Sequence, residues 1–263
     1  MIKTNHNINK SFLFYNYMFE SFIFDLEKKS NFLWIFLVSF IVSILLGGVN
    51  YLVGGNFLFL VAFVSLFFSY PFTKYFKSVI IKNFESKGFF SRISKELVIF
   101  WSFFLGIILG FIVCFKLNLI IDYFLQENFV NLIRGNIVDL SNSFFMIVTN
   151  NLLVAFFCFI ISFLAFSGLI FIIVWNASIL TIYLSQFSGF VSFFNLFGML
   201  HGFIEIGGFI FAGILGAVLS NRIEKEFNYG NKIKFNKLFV KDICILFILS
   251  ITFILLAAFL EII

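Results

Sequence analysis

The sequence is poor in charge and almost without proline: charged residues make up 12% of its 263 residues, and Pro71 is the single proline. Hydrophobic residues make up 62%, and phenylalanine alone occurs 47 times, which excludes an ordinary soluble domain. A transmembrane barrel would show short alternating segments between turn residues, whereas this chain has long continuous apolar runs. The sequence therefore predicts an all-α, polytopic bundle of transmembrane helices.

Motifs of catalysis and cofactor binding are also missing from the sequence. It contains no HExxH zinc-protease motif, no GxSxG nucleophile elbow, no Walker A loop and no dinucleotide fingerprint. The three cysteines, Cys114, Cys158 and Cys244, fall at different depths of different predicted helices, which suits neither a disulfide framework nor a metal site. We therefore expect a protein that is not an enzyme and that holds no metal and no cofactor.

The basic residues behind the net charge of +5 stand in loops between apolar runs, where they orient a protein in the bilayer. We therefore expect a lipid partner and no nucleic-acid partner. The first 30 residues contain no short apolar core with a small-residue cleavage site, so no removable signal peptide is predicted. The aromatic segment Ser11–Phe24 predicts an amphipathic helix lying at the interface. Residues 1–30 are assigned to this cytoplasmic, interfacial segment, and residues 31–263 to a single transmembrane domain.

Two span counts fit the apolar runs, because residues 140 to 204 include no Asp, Glu, Lys or Arg. One long helix, Phe145–Trp175, gives six spans and places the basic loop Ser220–Asp242 outside the cell. A turn at Phe166-Ser167-Gly168 gives seven spans and leaves all but two of the Lys and Arg residues on the cytoplasmic side. The preference for cytoplasmic basic loops favours seven, with the N-terminus in the cytoplasm and the C-terminus outside. The predicted spans are about Phe32–Val49, Asn56–Phe72, Leu97–Phe115, Phe145–Ala165, Leu169–Gln186, Gly198–Ser220 and Ile243–Leu260.

Glycine and proline mark three details of the first half of the chain. Gly54 and Gly55 predict a tight, uncharged turn between the first two spans. Pro71 predicts that the second helix ends or kinks there. Gly106 and Gly110 stand at GxxxG spacing in the third span, which by itself is a weak signal of helix packing.

The stretch Gly198–Ser220 organises the predicted bundle, because its Glu205 is the only charged side chain inside any of the long apolar runs. An ionisable group at membrane depth is costly and is expected to face protein or water. The small side chains that share its helical stripe are expected to pack closely against neighbouring helices. At 100° per residue, the stripe consists of His201, Glu205, Gly208, Ala212 and Gly216.

Five polar residues are predicted to lie in the outer half of the bilayer: Asn150, Asn151, Asn176, His201 and Glu205. In one interpretation they form a structural clasp, in which amides join helices and the carboxyl is neutral or paired with the imidazole. In the other they form a site that responds to protons or cations, because a carboxyl and an imidazole at this depth resemble a relay. Both interpretations stay open at the level of sequence.

Three segments in this order resemble the stage II sporulation protein M family, especially its archaeal branch: Asn150-Asn151, SGLIFIIVWNAS (Ser167–Ser178) and HGFIEIGGFIFAGILGAVLS (His201–Ser220). In that family an Asn pair opens a helix, a Gly-rich turn leads into a WNAS-like segment, and a Pro-His-Gly-x-x-Glu element precedes a helix of small residues. The resemblance runs from about Leu97 to the C-terminus. This chain departs from the pattern at Leu200, where the family carries proline, and at Phe166-Ser167 in the turn.

The resemblance implies an integral protein of the cell membrane. The namesake of the family is a membrane scaffold that recruits peptidoglycan-remodelling hydrolases in spore-forming bacteria, whereas the archaeal-like members have neither spores nor such a wall. We expect a non-enzymatic scaffold or assembly protein, with partner proteins docking at the basic loops Thr73–Glu96 and Ser220–Asp242. A small-solute or proton- or cation-coupled permease that uses His201 and Glu205 is the alternative, and homo-oligomerisation stays open. The chain shows neither an internal repeat nor paired broken helices, which favours the scaffold.

Overall fold

The computed structural model describes residues 32–75, 89–120, 140–165, 167–185, 193–228 and 237–262. These residues form seven α-helices, and each is long and apolar enough to cross a membrane. The predicted all-α, polytopic bundle is therefore confirmed, whereas the predicted interfacial helix and the boundary at residue 30 lie outside the described residues. The helices are α1 (Phe32–Leu52), α2 (Phe57–Tyr75), α3 (Phe89–Lys116), α4 (Leu140–Leu164), α5 (Ser167–Ser185), α6 (Phe193–Asn228) and α7 (Lys237–Ile262).

The break between α4 and α5 decides the span count. α4 ends at Leu164 and α5 begins at Ser167. The amide N–H of Ala165 still donates to the carbonyl of Ile161 at 2.7 Å, and the N–H of Gly168 donates to the carbonyl of Ala165 at 3.0 Å. A side chain at Gly168 would collide with Ile161, so glycine allows the chain to fold back here. Seven spans are confirmed in the part of the chain that the structure describes, and the alternative of one long helix, Phe145–Trp175, is wrong.

The turn between α1 and α2 is closed by two asparagines. The buried amide of Asn50 donates to the carbonyl oxygens of Gly55 at 2.9 Å and Asn56 at 3.2 Å. The side-chain oxygen of Asn56 accepts the N–H of Phe59 at 3.1 Å and so caps the first turn of α2. Gly54 has a φ of +66°, which favours glycine. The predicted tight turn is confirmed.

Two helices extend beyond their predicted spans. α2 continues through the buried Pro71 to Tyr75, so the proline does not close the helix. Its ring removes one backbone N–H, a loss that a helix near its end tolerates better than one at its centre. The span of α3 starts at Leu97 as predicted, and the helix itself begins at Phe89, because residues with charged side chains continue it beyond its apolar part.

Consecutive helices reverse direction, as contacts between their side chains show. Phe57 of α2 meets Phe111 of α3 edge to face, and Phe72 of α2 stacks on Phe100 of α3, which is an antiparallel register. The starts of α1, α3, α5 and α7 and the ends of α2, α4 and α6 therefore lie together, and we name this the basic end of the bundle. Among the described residues, every Lys and Arg except Lys116 lies near it: Lys74, Arg92, Lys95, Arg222, Lys225, Lys237 and Lys241.

Phenylalanine fills much of the space between α2 and α3. Phe103 lies edge-on to Phe68, with ring centroids 4.9 Å apart, and 4.6 Å from Phe72. Phe57 and Phe111 meet edge to face at 5.2 Å, and both are fully buried. These tilted and edge-on pairs are the arrangements that aromatic rings prefer, so part of the large phenylalanine content packs this interface.

Candidate functional site

α6 carries His201 and Glu205 and lies inside the bundle. Residues 206 to 218 are buried at every position, so neighbours surround this part of the helix on all sides. Residues 201 to 205, nearer the end opposite the basic end, are each only partly buried. Among the described residues, no atom lies within 4 Å of the position that a side chain at Gly202 would occupy. The polar part of α6 is therefore less enclosed than the small-residue part.

Gly208 brings the backbone of α6 against α7. The hydroxyl of Ser250, itself buried, donates to the carbonyl oxygen of Gly208 at 2.9 Å. A Cβ added at Gly208 would lie 3.1 Å from the carbonyl oxygen of Ser250 and 2.9 Å from Cγ1 of Ile254. Only a residue without a side chain allows this approach, which also provides a hydrogen bond between helices.

Gly216 brings the other half of the same stripe against α4. A Cβ added there would collide with the carbonyl oxygen of Phe159 and would lie 3.0 Å from the amide nitrogen of Phe163. Gly208 and Gly216 are eight residues apart, so at 100° per residue they point about 80° apart around the helix. The predicted stripe thus meets α7 at one level and α4 at the next, with Ala212 buried between them.

Contacts of α6 with its neighbours also give the depth of the predicted polar residues. Gly213 lies against Leu169 of α5, which runs antiparallel to α6. Away from the basic end, Asn176 lies seven residues beyond Leu169 on α5. In the same direction, Glu205 lies eight residues beyond Gly213 on α6. Since each residue rises about 1.5 Å, these two side chains start at the same depth.

The third polar position is one turn deeper. α4 runs parallel to α6, with Phe159 against Gly216, and Asn151 lies eight residues from Phe159. Asn151 is therefore at the level of Gly208, about 5 Å deeper than Glu205. The predicted polar residues occupy a narrow range of depths, but the meeting of all five side chains stays a prediction.

The asparagines engage mainly local partners. The amide of Asn150 lies 3.5 Å from the side-chain oxygen of Asn151, at the limit of a hydrogen bond, and Asn150 is exposed whereas Asn151 is buried. The amide of Asn176 donates to the carbonyl of Ile172 in its own helix at 2.8 Å. These amides satisfy part of their hydrogen-bonding capacity without the imidazole or the carboxyl.

Glu205 has an acidic neighbour that the sequence did not single out. Its carboxyl interacts electrostatically with Glu261, which lies in the last turn of α7, and also with the thiol of Cys158 on α4. The antiparallel register of α6 and α7 brings the end of α7 to the side of the bundle where His201 lies. Glu261 directly follows the apolar run of the last predicted span, and this position is its only signal in the sequence.

Metal-ligand chemistry has no support in the described part of the chain. There, no group of three or more His, Cys, Asp and Glu residues is arranged to hold a metal ion. The three cysteines are free, with Cys114 and Cys158 buried and Cys244 exposed. The arrangement around α6 can form hydrogen bonds between helices and can hold a carboxyl beside the end of α7.

A second small-residue contact joins α1 and α3, and the sequence analysis identified only the glycines on α3. A Cβ added at Gly106 would collide with the hydroxyl of Ser39, and one at Gly110 would lie 2.6 Å from Cβ of Ser43. Farther along, Gly47 lies against the thiol of Cys114 in the same way. The GxxxG spacing on α3 was the available signal, and small residues at four-residue intervals on α1 are its counterpart. We name this contact, formed by Ser39, Ser43, Gly47, Gly106, Gly110 and Cys114, the α1–α3 seam.

Near the basic end, α6 extends beyond its apolar part, and a charged side chain of this extension contacts α7. Arg222 forms an ion pair with Glu226 at 2.9 Å and lies over the ring of Phe239, 5.8 Å from its centroid. Asp242, in the second turn of α7, is buried. An arginine that both pairs with a carboxylate and stacks on a ring is held in a defined orientation, so this end of α6 is anchored to α7.

Comparisons with known proteins identify the part of the chain that contains these helices. The family model described as Stage II sporulation protein M matches residues 98–263, from the start of the apolar part of α3 to the C-terminus. The comparison with curated proteins and the comparison with solved structures each found no match. The match covers more than half of the chain and includes every residue of the candidate site. The chain is therefore a multi-pass membrane protein that belongs to the stage II sporulation protein M family.

Proposed function

We propose that this protein is a non-enzymatic scaffold that organises partner proteins at the cell membrane. The observation that carries the proposal is the way α6 is held by its neighbours. Gly208 and Gly216 bring its backbone against α7 and α4, and Ser250 donates a hydrogen bond across the first of these contacts. Transporters commonly move one group of helices against another around a fixed site. Close backbone contacts on two sides of the central helix oppose such a movement and support a rigid frame.

The orientation follows from the charge of the two ends. Basic residues concentrate on the cytoplasmic side of membrane proteins, so the basic end of the bundle is proposed to face the cytoplasm. The N-terminus then lies in the cytoplasm and the C-terminus outside. The described residues at this end include the exposed side chains of Lys237 and Lys241, next to the loop before α7. This surface is proposed to hold the partner proteins.

In the scaffold, Glu205 has a structural role as a polar group that interacts electrostatically with Glu261 at the end of α7. Its amide isostere keeps the size and most of the hydrogen bonding of the side chain. Glu205→Gln is therefore expected to leave both the folded yield and the set of bound partners unchanged. The matched control is Glu224→Gln, which changes an exposed carboxylate near the other end of the same helix.

The test is co-purification from native membranes after mild solubilisation, with mass spectrometry of the bound proteins. The double variant Lys237→Gln/Lys241→Gln is expected to lose partners, whereas Lys116→Gln, an exposed lysine at the opposite end, is expected to keep them. Reconstituted vesicles provide the second measurement. The proposal fails if the wild-type protein carries out pH-dependent solute transport that Glu205→Gln abolishes while the variant stays folded.

A further inference from the structure

Asn150 places an amide side chain on the outside of the bundle at membrane depth. It stands on α4 within the apolar span Phe144–Leu164, about 9 Å from the start of that span. Acyl chains neither donate nor accept hydrogen bonds, so an amide at this depth requires a polar neighbour. Among the described residues, every other asparagine inside an apolar span is buried or partly buried: Asn50, Asn151, Asn176 and Asn221.

The side chain of Asn150 is only partly engaged by its own chain. Its amide nitrogen lies 3.5 Å from the side-chain oxygen of Asn151, at the limit of a hydrogen bond. Its side-chain oxygen accepts no hydrogen bond from any residue that the structure describes. An asparagine side chain carries two N–H donors and one acceptor oxygen. Asn150 can therefore both donate to and accept from a group outside the bundle.

The exposed face around Asn150 continues along α4 with a regular spacing. Its residues recur at alternating intervals of four and three, which is the heptad spacing of helices that pack in pairs. At 100° per residue they fall within an arc of about 80°, opposite the buried Asn151 and Ala155. All of the apolar ones except the partly buried Ile160 are more than half exposed. We name this surface the α4 face, and it consists of Met146, Asn150, Leu153, Phe157, Ile160 and Leu164.

Two other helices with exposed faces lack such a group. The exposed side of α1 is apolar, as at Leu37, Ile41 and Leu45. On α7, the exposed hydroxyl of Thr252 donates to the carbonyl oxygen of Ile248 in its own helix at 2.8 Å. Acyl chains can cover both surfaces without leaving a polar group unsatisfied. The α4 face differs from them because its amide needs a hydrogen-bonding partner that lipid tails do not provide.

We propose that the α4 face is a homodimer interface, and that its occupant is α4 of a second copy of the chain. Both copies insert into the membrane in the same direction, so a two-fold axis perpendicular to the membrane relates them and their α4 helices run parallel. Each residue then meets its own counterpart, and Asn150 meets Asn150 at the same depth. Each amide donates to the oxygen of the other. A single polar asparagine in a heptad seam is a device that fixes register and oligomeric state.

The first test is disulfide cross-linking of the purified full-length protein in vesicles, in a background with Cys244→Ser to remove the exposed native thiol. Leu153→Cys places a thiol on the α4 face, one turn from Asn150. Ile248→Cys is the matched control, because it is exposed on α7. A disulfide requires Cα atoms less than about 7 Å apart, which paired α4 helices provide for Leu153→Cys alone. Equal cross-linking of both variants, or none of either, would overturn the proposal.

The second test measures the dimer dissociation constant in phosphatidylcholine vesicles by energy transfer between two labelled populations of the protein. Asn150→Leu is expected to weaken the dimer by about threefold to thirtyfold, the range that hydrogen bonds between membrane helices supply. Thr252→Leu is the control and is expected to dimerise like the wild type. It removes an exposed polar group of α7 at the depth of Asn151, since the neighbouring Ser250 and Ile254 contact Gly208.

Two results would contradict the homodimer. A wild-type protein that stays monomeric at every protein-to-lipid ratio would show that lipid, another part of the chain or a different protein covers the α4 face. A dimer that Asn150→Leu leaves unchanged would place the interface elsewhere on the bundle. Both measurements use purified protein without partners, so their outcome does not depend on the proposed scaffold function.

Discussion

The α1–α3 seam and the contacts of α6 both bring helix backbones together through small residues, yet the two helices differ in their surroundings. In the seam, small residues stand on both helices, and the other side of α1 is exposed, as at Ile41 and Leu45. In α6, the glycines are on one helix and meet larger neighbours on α4, α5 and α7. A change in the seam therefore affects one contact, whereas a change in α6 affects a helix that three others depend on.

The hydroxyl groups show the same difference. In the seam, Ser39 and Ser43 donate to carbonyl oxygens of their own helix, those of Ile35 at 2.8 Å and of Ser39 at 2.7 Å. Beside α6, the hydroxyl of Ser250 donates across to the carbonyl of Gly208. Across the seam, the thiol of Cys114 donates a long and weak hydrogen bond to the carbonyl oxygen of Ser43 at 3.6 Å. The contact between α6 and α7 combines close packing with a shorter hydrogen bond, donated by a hydroxyl. Three substitutions test this comparison.

The largest effect is expected from Gly216→Val in α6. The new side chain would collide with the backbone of Phe159 and Phe163, which cannot move aside as a flexible side chain can. Overpacking of this kind costs about 1 to 3 kcal/mol and occasionally more, and we expect the upper end of that range. The measurement is thermal unfolding in detergent, followed by the loss of the monodisperse peak in gel filtration. Gly202→Val is the control, since its side chain would enter open space among the described residues. Equal loss in both variants would contradict the proposed contact with α4.

A smaller effect is expected from Gly110→Val in the seam. Its Cβ would lie 3.0 Å from the carbonyl oxygen of Phe40, so α1 must shift away from α3. Because α1 is exposed on its other side, it can move outward, and we expect a cost near the lower end of about 1 to 3 kcal/mol. The same unfolding assay is used, with Gly48→Val as the control on α1, where nothing lies within 4 Å. A loss of stability greater than that of Gly216→Val would reverse the ranking of the two contacts.

The smallest effect is expected from Ser250→Ala. It removes the hydrogen bond to Gly208, and such bonds between membrane helices contribute about 0.6 kcal/mol on average and less than about 2 kcal/mol at most. Thr252→Ala is the matched control, because its exposed hydroxyl donates to the carbonyl of Ile248 in its own helix. Equilibrium unfolding in mixed micelles measures the difference between the two variants. If Ser250→Ala unfolds at the same denaturant concentration as Thr252→Ala, the bond between α6 and α7 adds nothing to stability.

Several features of the fold were predictable because they depend on length and charge. The break at Ser167-Gly168 followed from the distribution of basic loops, although the turn itself is weakly encoded. The start of the third span was predicted correctly, but the full lengths of α2 and α3 were not. Apolar runs mark where a helix enters the bilayer, whereas backbone hydrogen bonds continue the helix past Pro71 and back to Phe89.

The candidate site was predictable in part. Helical periodicity placed Glu205, Gly208 and Gly216 on one stripe, but it did not reveal that the two glycines meet different helices. It also did not reveal that Glu261 interacts electrostatically with Glu205, because that interaction depends on the register between α6 and α7. Sequence spacing predicts which residues of one helix share a face, whereas the packing of helices decides which residue of a neighbouring helix lies opposite that face.

The sequence by itself determined a bundle of membrane-spanning helices and, through its basic loops, favoured seven spans over six. About 20 apolar residues are needed for each crossing, and a backbone in lipid must satisfy its hydrogen bonds internally. Only the tertiary structure decided which neighbour covers each small face: α7 at Gly208, α4 at Gly216 and α1 at Gly106. Lipid tails are as apolar as the side chains inside the bundle, so lipid-facing and buried faces of these helices look alike in sequence. Shape complementarity between helices decides which face is buried.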